Sequence, residues 1–415
     1  MARRRVAVTG LGLVSPFGRD VDDFFQRMLA GESCVRLYAS HEPPKPIATP
    51  AVHCDGFDGP AILGKALTAT MDRFSQLATV AGMDAWRNAG LATDKTPKPD
   101  CGVAWGTGVG GMPVFDRGFR DMWQSGKERL SPLSVVLGMN NAAASHLAMQ
   151  LGLGNSCLTY SVACSSAAAA IGEAFRRIRE GEATVMLTGG GDATLSYGVI
   201  RAWEAMRVLA PGDEHSAHRA CRPFSRDRAG LVLGEGAAAL VLEDWDHAVA
   251  RGAPILAELA GYGATCDHSH LVRPHKDGQV RAIRLALQDG GLAPGDVGYV
   301  NAHGTATPEG DPIEVEALRE VFGELAEALP VSATKSLHGH LMGAAGAIEA
   351  LISVLALQQD AIPPTGHLDD PDPACNGVRH VTTALRGTGA QAALSNSFAF
   401  GGSNAVLAFR AVERP

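Results

Sequence analysis

One of the eight cysteines in this chain lies in a context that suits a nucleophile. Cys164 follows residues 158–162, whose Thr, Tyr, Ser and Val favour a strand, and precedes an alanine run at 167–170 that favours a helix. Free N–H groups and the helix dipole stabilise a thiolate in the first turn of a helix. Cys164 is therefore a candidate for covalent catalysis, and a buried cysteine in a helix of small residues is the alternative.

Two loops supply histidines that could bind or protonate a reacting oxygen. His303 follows the apolar run 297–301, and His340 lies in the segment 332–346 together with Lys335 and His338. α/β proteins hold ligands in loops at the carboxyl ends of strands. Surface or capping histidines are the alternative. Metal binding is disfavoured, because no local set of three ligands has structural-zinc spacing and no His-Glu-x-x-His motif occurs.

Glycine-rich loops occur at residues 106–111, 188–192 and 396–404. The first two match neither a P-loop nor a dinucleotide fingerprint, so close backbone packing is the favoured interpretation. The third follows a strand and carries Phe398, Phe400 and two glycines, and its backbone N–H groups could face a reacting oxygen. An ordinary β-hairpin with core phenylalanines is the alternative.

The elements that must position these groups alternate between strand and helix. Strand-like runs lie at 6–9, 103–105, 185–188, 237–242, 255–259, 297–301, 392–395 and 405–409, and helical patterns at 73–88, 165–180, 279–288, 313–322 and 345–358. This alternation predicts an α/β protein. A helix, glycine stop, strand and glycine turn occur twice, so we predict two similar halves, residues 1–250 and 251–415.

Composition restricts the remaining function classes. The formal net charge of −8 disfavours a general nucleic-acid binder. The basic N-terminus is predicted to begin a first strand, not a signal peptide. No apolar segment is expected to reach membrane-spanning length, because the longest, 344–357, is interrupted by Glu349, so no membrane insertion is predicted. No Cys-x-x-Cys pair occurs among the cysteines, so neither a zinc ribbon nor a thioredoxin motif is supported. In a chain of this length without an export signal, the cysteines are predicted to be reduced thiols of a cytoplasmic protein.

Together these segments resemble the β-ketoacyl-acyl-carrier-protein synthases, most closely the synthase II type and the related polyketide ketosynthases. In order, the motifs are Cys164, Asn-Ala-His-Gly-Thr at 301–305, Thr-Lys-Ser-x-x-Gly-His at 334–340 and Phe-Gly-Gly-x-Asn at 400–404. The resemblance runs nearly end to end. It implies a thiolase-like fold of two similar halves, each with a mixed five-stranded sheet, in α/β/α/β/α layers. It also implies a homodimer, and a heterodimer stays open.

The resemblance implies a decarboxylative Claisen condensation that needs no redox cofactor and no metal. Cys164 would accept an acyl group, and backbone N–H groups of Cys164 and Phe400 would hold the oxyanion. His303 and His340 would hydrogen-bond the thioester oxygen of a malonyl group carried by an acyl carrier protein. Lys335 and Glu349 match a charged pair that orients the histidines.

The resemblance also implies contacts with the substrate and the carrier. Thr305 and Thr307 match positions that bind the pantetheine arm, Phe400 matches a gate, Val109 matches the acyl pocket, and Trp203, Phe398 and His270 are assigned to the substrate pocket. For carrier docking we expect Lys65, with Arg129 and Arg207 as further cations.

Departures from the usual pattern concern the substrate and the carrier. Trp203 stands where Phe is usual, Val272 replaces Thr near His270, and residues 227–230 read Asp-Arg-Ala-Gly in place of Asp-Arg-Asp-Gly. These departures favour a specialised pathway that makes polyketide, polyene or unusual lipid chains over housekeeping fatty-acid elongation.

Three alternatives stay open. A thiolase acting on CoA thioesters usually needs a second cysteine near the C-terminus, and no cysteine follows Cys375. A type III synthase would pair its cysteine with His and Asn, whereas His340 favours the two-histidine type. A chain-length-factor-like subunit would lack the nucleophile, whereas Cys164 is present.

Overall fold

The computed structural model describes residues 3–41 and 45–412. The strands are β1 (Val6–Val14), β2 (Arg36–Ser40), β3 (Ile47–Val52), β4 (Cys101–Gly106), β5 (Cys157–Tyr160), β6 (Val185–Asp192), β7 (Leu233–Gly234), β8 (Gly236–Asp244), β9 (Ala257–Cys266), β10 (Val297–Asn301), β11 (Pro330–Ser332), β12 (Ala361–Ile362), β13 (Arg379–His380), β14 (Leu385–Arg386), β15 (Ala392–Phe398) and β16 (Ser403–Arg410). The helices are α1 (Val21–Leu29), α2 (Gly59–Leu63), α3 (Lys65–Thr68), α4 (Arg73–Asn88), α5 (Met112–Ser125), α6 (Ser134–Gly138), α7 (Ala142–Leu151), α8 (Ser166–Arg179), α9 (Tyr197–Met206), α10 (Trp245–Ala250), α11 (Lys276–Gly290), α12 (Gly310–Phe322), α13 (Lys335–His338) and α14 (Ala345–Gln359).

The main sheet is built twice from the same pattern. Five strands run in the order β1-β8-β6-β4-β5 and five more in the order β9-β16-β15-β10-β11, with the two-residue strand β13 added at the far edge. In both sets the first two pairings are antiparallel and the last two are parallel. If the strands of each set are numbered by their order along the chain, both sets have the same spatial order, as expected of two similar halves.

The two five-stranded sets join edge to edge. β1 pairs antiparallel with β9 through Ala7 opposite Glu258 and Val8 opposite Ala257, so all eleven strands form one continuous sheet. The resemblance implied a separate five-stranded sheet for each half. The pairing of β1 with β9 links the two sets directly and does not locate a boundary between the halves. The division of the chain into halves near residue 250 therefore stays a prediction.

The helices form three layers around the sheet. α8 and α14 pack against each other between the two strand sets, α4 covers β1, β6 and β8, and α11 covers β9 and β16 with α12 outside it. This confirms the predicted mixed α/β fold with helices between and outside. The predicted strands and helices all appear, and α4 and β10 have the predicted bounds.

The central helix α14 is apolar on every side. Residues Met342–Gln359 are long and apolar enough to cross a membrane by length and composition, so the expectation that no segment reaches that length is wrong. Glu349, which was expected to interrupt the segment, is fully buried instead. These residues are 89% buried within the protein, as expected of a helix enclosed between the two five-stranded sets.

Small residues let the first turns of α8 and α14 approach closely. A Cβ atom added at Gly346 would lie 2.8 Å from the backbone nitrogen of Ala168, and one at Gly106 would lie 2.4 Å from that of Ala167. Larger side chains at these positions would push the two helices and β4 apart. The glycines and the alanine run therefore place the segment that carries Cys164 beside the segment that follows His340.

Candidate active site

The nucleophile lies in a tight turn between β5 and α8. Cys164 is the middle residue of a 3-10 turn, Ala163–Ser165, and Ala163 has a φ of +50°, which non-glycine residues rarely adopt. The Ser166 hydroxyl fixes the turn: it donates to the Ala163 carbonyl at 2.6 Å and accepts from the Val162 N–H at 2.9 Å. The predicted strand-to-helix junction at Cys164 is therefore present.

Three side chains from three segments converge on one point. The Cys164 sulfur and one ring nitrogen each of His303 and His340 all lie within 4.8 Å of one another. The two imidazole rings meet edge to face with centroids 5.6 Å apart. All three residues are buried. These atoms are also a possible ligand set for a metal ion, which the spacing along the sequence did not reveal.

A buried ion pair lies behind the histidines. The ammonium of Lys335 contacts the Glu349 carboxylate, donates to the His303 carbonyl at 2.6 Å and lies 3.3 Å from His303 Nδ1. Both charged side chains are fully buried. Burial raises the pKa of Glu349 to about 7, and Lys335 opposes that rise. A buried charge is tolerated only when it is paired and hydrogen-bonded, so the pair and the His303 loop depend on each other.

Both histidines of this cluster are neutral. Burial, and then the neighbouring Lys335 charge, lower the pKa of His303 and of His340 well below the usual value. His340 Nδ1 accepts the N–H of Met342 at 3.1 Å, and His303 Nδ1 faces the ammonium of Lys335. We therefore assign the ring proton to Nε2 in both. His340 Nε2 has no hydrogen-bond partner within the described residues, so it is free to donate to a ligand.

The thiol of Cys164 is not a preformed thiolate. Burial raises its pKa to about 12, although Lys335 and the backbone N–H of Phe400 act in the opposite direction. A helix N-terminus contributes about 0.3–1 kcal/mol, which is under one pKa unit. The expected thiolate stabilisation by the helix is therefore outweighed, and proton loss must accompany attack on a carbonyl carbon.

A cavity of about 390 Å³ leads to these three groups. Six further residues that the sequence singled out line it: Trp203, Arg207, Thr305, Thr307, Phe398 and Phe400. The Trp203 and Phe400 rings stack with centroids 5.9 Å apart, and Phe398 lies 6.2 Å from the His303 ring, centroid to centroid. The structure thus brings the predicted gate, wall and arm-binding positions around one space.

Four predicted site residues lie elsewhere. Val109 is half-buried and its N–H donates to Asp192, and it does not line the cavity. His270 is exposed, and its Nδ1 accepts the N–H groups of Val272 and Arg273, both at 3.1 Å. It therefore shapes a turn whose residues line the cavity. Lys65 and Arg129, the other two, were predicted as carrier-docking cations; both are exposed, and neither lines the cavity.

Two buried carboxylates that organise the site were missed from the sequence. Glu314 accepts the N–H groups of His303 at 2.8 Å and Gly304 at 2.9 Å, which fixes the histidine turn. Asp192 accepts the N–H groups of Gly108 at 2.8 Å and Gly343 at 2.7 Å, which ties the 106–111 loop to the start of α14. Asp192 ends the Gly-Gly-Gly-Asp segment, so its position at a strand end was the available signal.

Comparison with known families and structures agrees with this geometry. Residues 3–248 match the family description "Beta-ketoacyl synthase, N-terminal domain", and residues 256–369 match "Beta-ketoacyl synthase, C-terminal domain". The chain belongs to the β-ketoacyl synthase family. As a β-ketoacyl synthase it is an acyltransferase that condenses acyl thioesters, as the resemblance implied.

Relatives of this β-ketoacyl synthase match it from end to end. It is 41% identical to nodulation protein E of Rhizobium sp. (strain N33) over 99% of this chain and 100% of the relative. It is 37% identical to 3-oxoacyl-[acyl-carrier-protein] synthase 2 of Coxiella burnetii (strain RSA 493 / Nine Mile phase I) over 98% of each chain.

Solved structures share its fold over 99% of this chain and 100% of theirs. The ishigamide ketosynthase/chain length factor has a TM-score of 0.91 at 31% identity. The AntDE:AntF complex, described as a type II PKS acyl-carrier protein in complex with its ketosynthase bound to the hexaketide, has a TM-score of 0.87 at 30% identity.

The pKa of the nucleophile can be tested by alkylation. The rate at which iodoacetamide modifies Cys164 should rise about tenfold per pH unit from pH 6 to pH 9 without a plateau, because the thiol pKa lies above this range. Lys335→Met should slow the reaction at each pH, since Lys335 lowers that pKa. Fragment-ion mass spectrometry, which assigns each modification to a residue, distinguishes Cys164 from the exposed Cys157 and Cys266. A plateau below pH 8 would contradict the raised pKa.

Proposed function

We propose that Cys164 accepts an acyl group and that His303 and His340 then activate a malonyl group from an acyl carrier protein. The observation that carries this proposal is the approach of the sulfur and the two ring nitrogens to within 4.8 Å. A sulfur nucleophile can carry the acyl group as a thioester, and two neutral hydrogen-bond donors beside it can stabilise the enolate that attacks this thioester.

In the first half-reaction the thiol of Cys164 attacks the carbonyl carbon of an acyl thioester. A new S–C bond forms, the bond to the carrier sulfur breaks, and the carrier leaves as a thiol with the displaced proton. The Phe400 N–H already faces the sulfur, so together with the Cys164 N–H it can hold the tetrahedral oxyanion. If the thiol loses its proton as it attacks, the negative charge develops on this carbonyl oxygen and not on the sulfur. Stabilisation of the oxyanion therefore suits a cysteine that is protonated before the reaction.

In the second half-reaction the two histidines act as donors. Their Nε2–H groups hydrogen-bond the malonyl thioester oxygen while the carbon–carboxylate bond breaks and carbon dioxide leaves. The electron pair forms an enolate, whose carbon attacks the Cys164 thioester and releases the sulfur as a thiolate, which takes up one proton from solvent to restore the thiol. Neutral imidazoles suit this role because each keeps one donor and needs no proton transfer.

We propose that the site works without a metal or redox cofactor. A metal at the Cys164, His303 and His340 atoms would require loss of the thiol proton and of the assigned Nε2 protons. It would also lie close to the Lys335 ammonium, which already lowers the pKa of both histidines. Release of carbon dioxide drives the condensation instead.

The remaining cavity residues are proposed to select the substrate. The Thr305 and Thr307 hydroxyls lie 3.0 Å apart on the cavity wall, where they can hydrogen-bond the amide groups of a pantetheine arm. Trp203 fills more space beside Phe400 than the usual Phe would, which narrows the acyl end. We therefore propose a specialised acyl chain, and Val109 remains a proposed part of its pocket.

We propose that acyl carrier protein docks at the cavity mouth. Arg207 is exposed and lines the cavity, so it can contact an acidic carrier, whereas Lys65 and Arg129 remain proposed cations of a wider docking surface. A cytoplasmic location also remains a proposal.

We propose that a second copy of the chain covers the edge strand β5. Among the strands that the structure describes, β5 pairs with β4 alone, and Leu158 on it is 39% exposed. Apolar side chains continue from this edge onto the neighbouring helices: Met149 on α7, Val135 on α6, and Phe119 and Trp123 on α5. Unpaired edges with adjoining apolar surface are typical of protein interfaces. We call this group of five side chains the β5 face.

Loss of the nucleophile should abolish the reaction. Cys164→Ala should form no acyl-enzyme from acyl carrier and no β-ketoacyl product, because no other group replaces the sulfur. Intact-mass spectrometry detects the acyl adduct, and carbon dioxide release with product analysis detects condensation. Cys157→Ala, at an exposed thiol, is the matched control and should retain both activities. Undiminished condensation by Cys164→Ala would falsify the proposed role.

Loss of one histidine should separate the two half-reactions. His340→Ala should retain acylation of Cys164 but lower condensation by about two to three orders of magnitude, because one enolate donor is lost. His338→Gln is the matched control: His338 is also buried but contacts Thr334 and does not line the cavity. Normal decarboxylation and condensation by the folded His340→Ala protein would remove His340 from the enolate role.

The β5 face should set the oligomeric state. Size-exclusion chromatography with light scattering should give about twice the chain mass of 43.2 kDa. Val135→Asp should shift the protein towards monomer, because it places a charge at a residue that is 69% exposed on the proposed interface. Leu325→Asp, 50% exposed outside this face, is the control. A monomeric wild type that associates only with a different chain would support the heterodimer, and one that never associates would contradict the interface.

A further inference from the structure

A buried guanidinium lies just behind the wall of the cavity. The Arg228 side chain is only 5% exposed, and it does not line the cavity itself. It comes from the segment that precedes β7 and reaches the loop between β10 and α12, which carries Thr305 and Thr307. Arginine is rarely buried without a specific set of partners, so its contacts indicate what it does.

Arg228 and its neighbour hold three consecutive carbonyl groups of that loop. The Gly230 N–H donates to the Ala306 carbonyl at 3.0 Å. Arg228 Nε donates to the Thr307 carbonyl at 3.0 Å, and Nη2 donates to the Pro308 carbonyl at 2.8 Å. The backbone of residues 306–308 is therefore fixed from outside the cavity, on the side opposite the substrate.

The loop needs such support because it has no regular structure of its own. Ala306 has a φ of +63°, a conformation that is strained for alanine. The Thr305 and Thr307 hydroxyls are 3.0 Å apart, and Thr307 also accepts the Gly310 N–H at 3.2 Å. Their positions follow from the backbone conformation, so release of the carbonyls would misplace both hydroxyls.

The other end of the guanidinium is equally fixed. Arg228 Nη1 donates to the Ser225 carbonyl at 2.9 Å and to the Asp372 carboxylate at 2.6 Å. Charge-assisted hydrogen bonds of this kind are among the strongest in proteins. The guanidinium group thus links the 224–230 segment, the loop near Asp372 and the cavity wall. The ammonium group of a lysine could not donate hydrogen bonds in all of these directions.

We propose that Arg228 is a positioning residue for the amide-bearing thioester arm of the carrier-bound substrate. It acts through Thr305, Thr307 and Pro308, which line the cavity, and it has no hydrogen bond to Cys164, His303 or His340 among the described contacts. This inference rests on the proposed function, because it assumes that a carrier arm passes this wall.

The proposal predicts a specific kinetic signature. Arg228→Lys should raise the KM for the malonyl carrier by roughly tenfold, the effect of one lost charge-assisted hydrogen bond, while kcat stays within about twofold. The rate of Cys164 alkylation by iodoacetamide should stay unchanged, because this small reagent does not use the arm-binding wall. Arg226→Lys is the matched control, since Arg226 is exposed and its side chain forms a surface ion pair with Asp370.

Asp372→Asn provides an independent variant that leaves Arg228 in place. Removal of its charged anchor should raise the same KM by a smaller factor, with Cys164 alkylation again unchanged. An unchanged KM in both variants, or a fall in kcat or alkylation without a rise in KM, would overturn the role of Arg228. If the wild type releases no carbon dioxide from malonyl carrier, the proposed function fails instead, so the two failures are distinguishable.

Discussion

The active site depends on one buried positive charge. Lys335 is fully enclosed and is tolerated there because the Glu349 carboxylate and the His303 carbonyl bind its ammonium group. Burial lowers the pKa of both histidines, and the same charge lowers it further, so both rings are neutral; the charge also opposes the effect of burial on Cys164. One ion pair thus fixes a loop and adds to the effect of burial on the protonation state of its neighbours. The Lys335–Glu349 pair positions the His303 loop more than it stabilises the folded protein, since burial of an ion pair costs free energy.

The fold class and the three residues that converge in the cavity could be predicted from the sequence because both leave local signals. Alternating strand and helix patterns located β10 and α4 with their observed bounds. Glycine and threonine turns after strands marked His303 and His340, and ordered motifs supported Cys164. These features depend on short stretches of chain, where hydrophobic period and turn chemistry are informative.

The errors concern quantities that only the folded chain defines. The helix start suggested a stabilised thiolate, whereas complete burial dominates the pKa of Cys164. His270 shapes a turn instead of lining the cavity, and Glu314 was missed because its partners are backbone N–H groups eleven and ten residues before it. The three-atom cluster that could ligate a metal likewise becomes visible only in space. Burial and convergence of distant segments cannot be read from local patterns.

The apolar character of α14 has a consequence for synthesis of the protein. This helix packs against β6 and β8, which precede it in the sequence, but also against β15 and β16, which follow it. During translation one of its sides therefore stays uncovered until β15 and β16 have been made. During that period the nascent polypeptide exposes an apolar helix that favours aggregation. Prompt packing of β15 and β16 against α14, or the binding of chaperones, would prevent this. Premature stop codons before β15 would leave that side permanently bare and direct the fragment to aggregation or proteolysis.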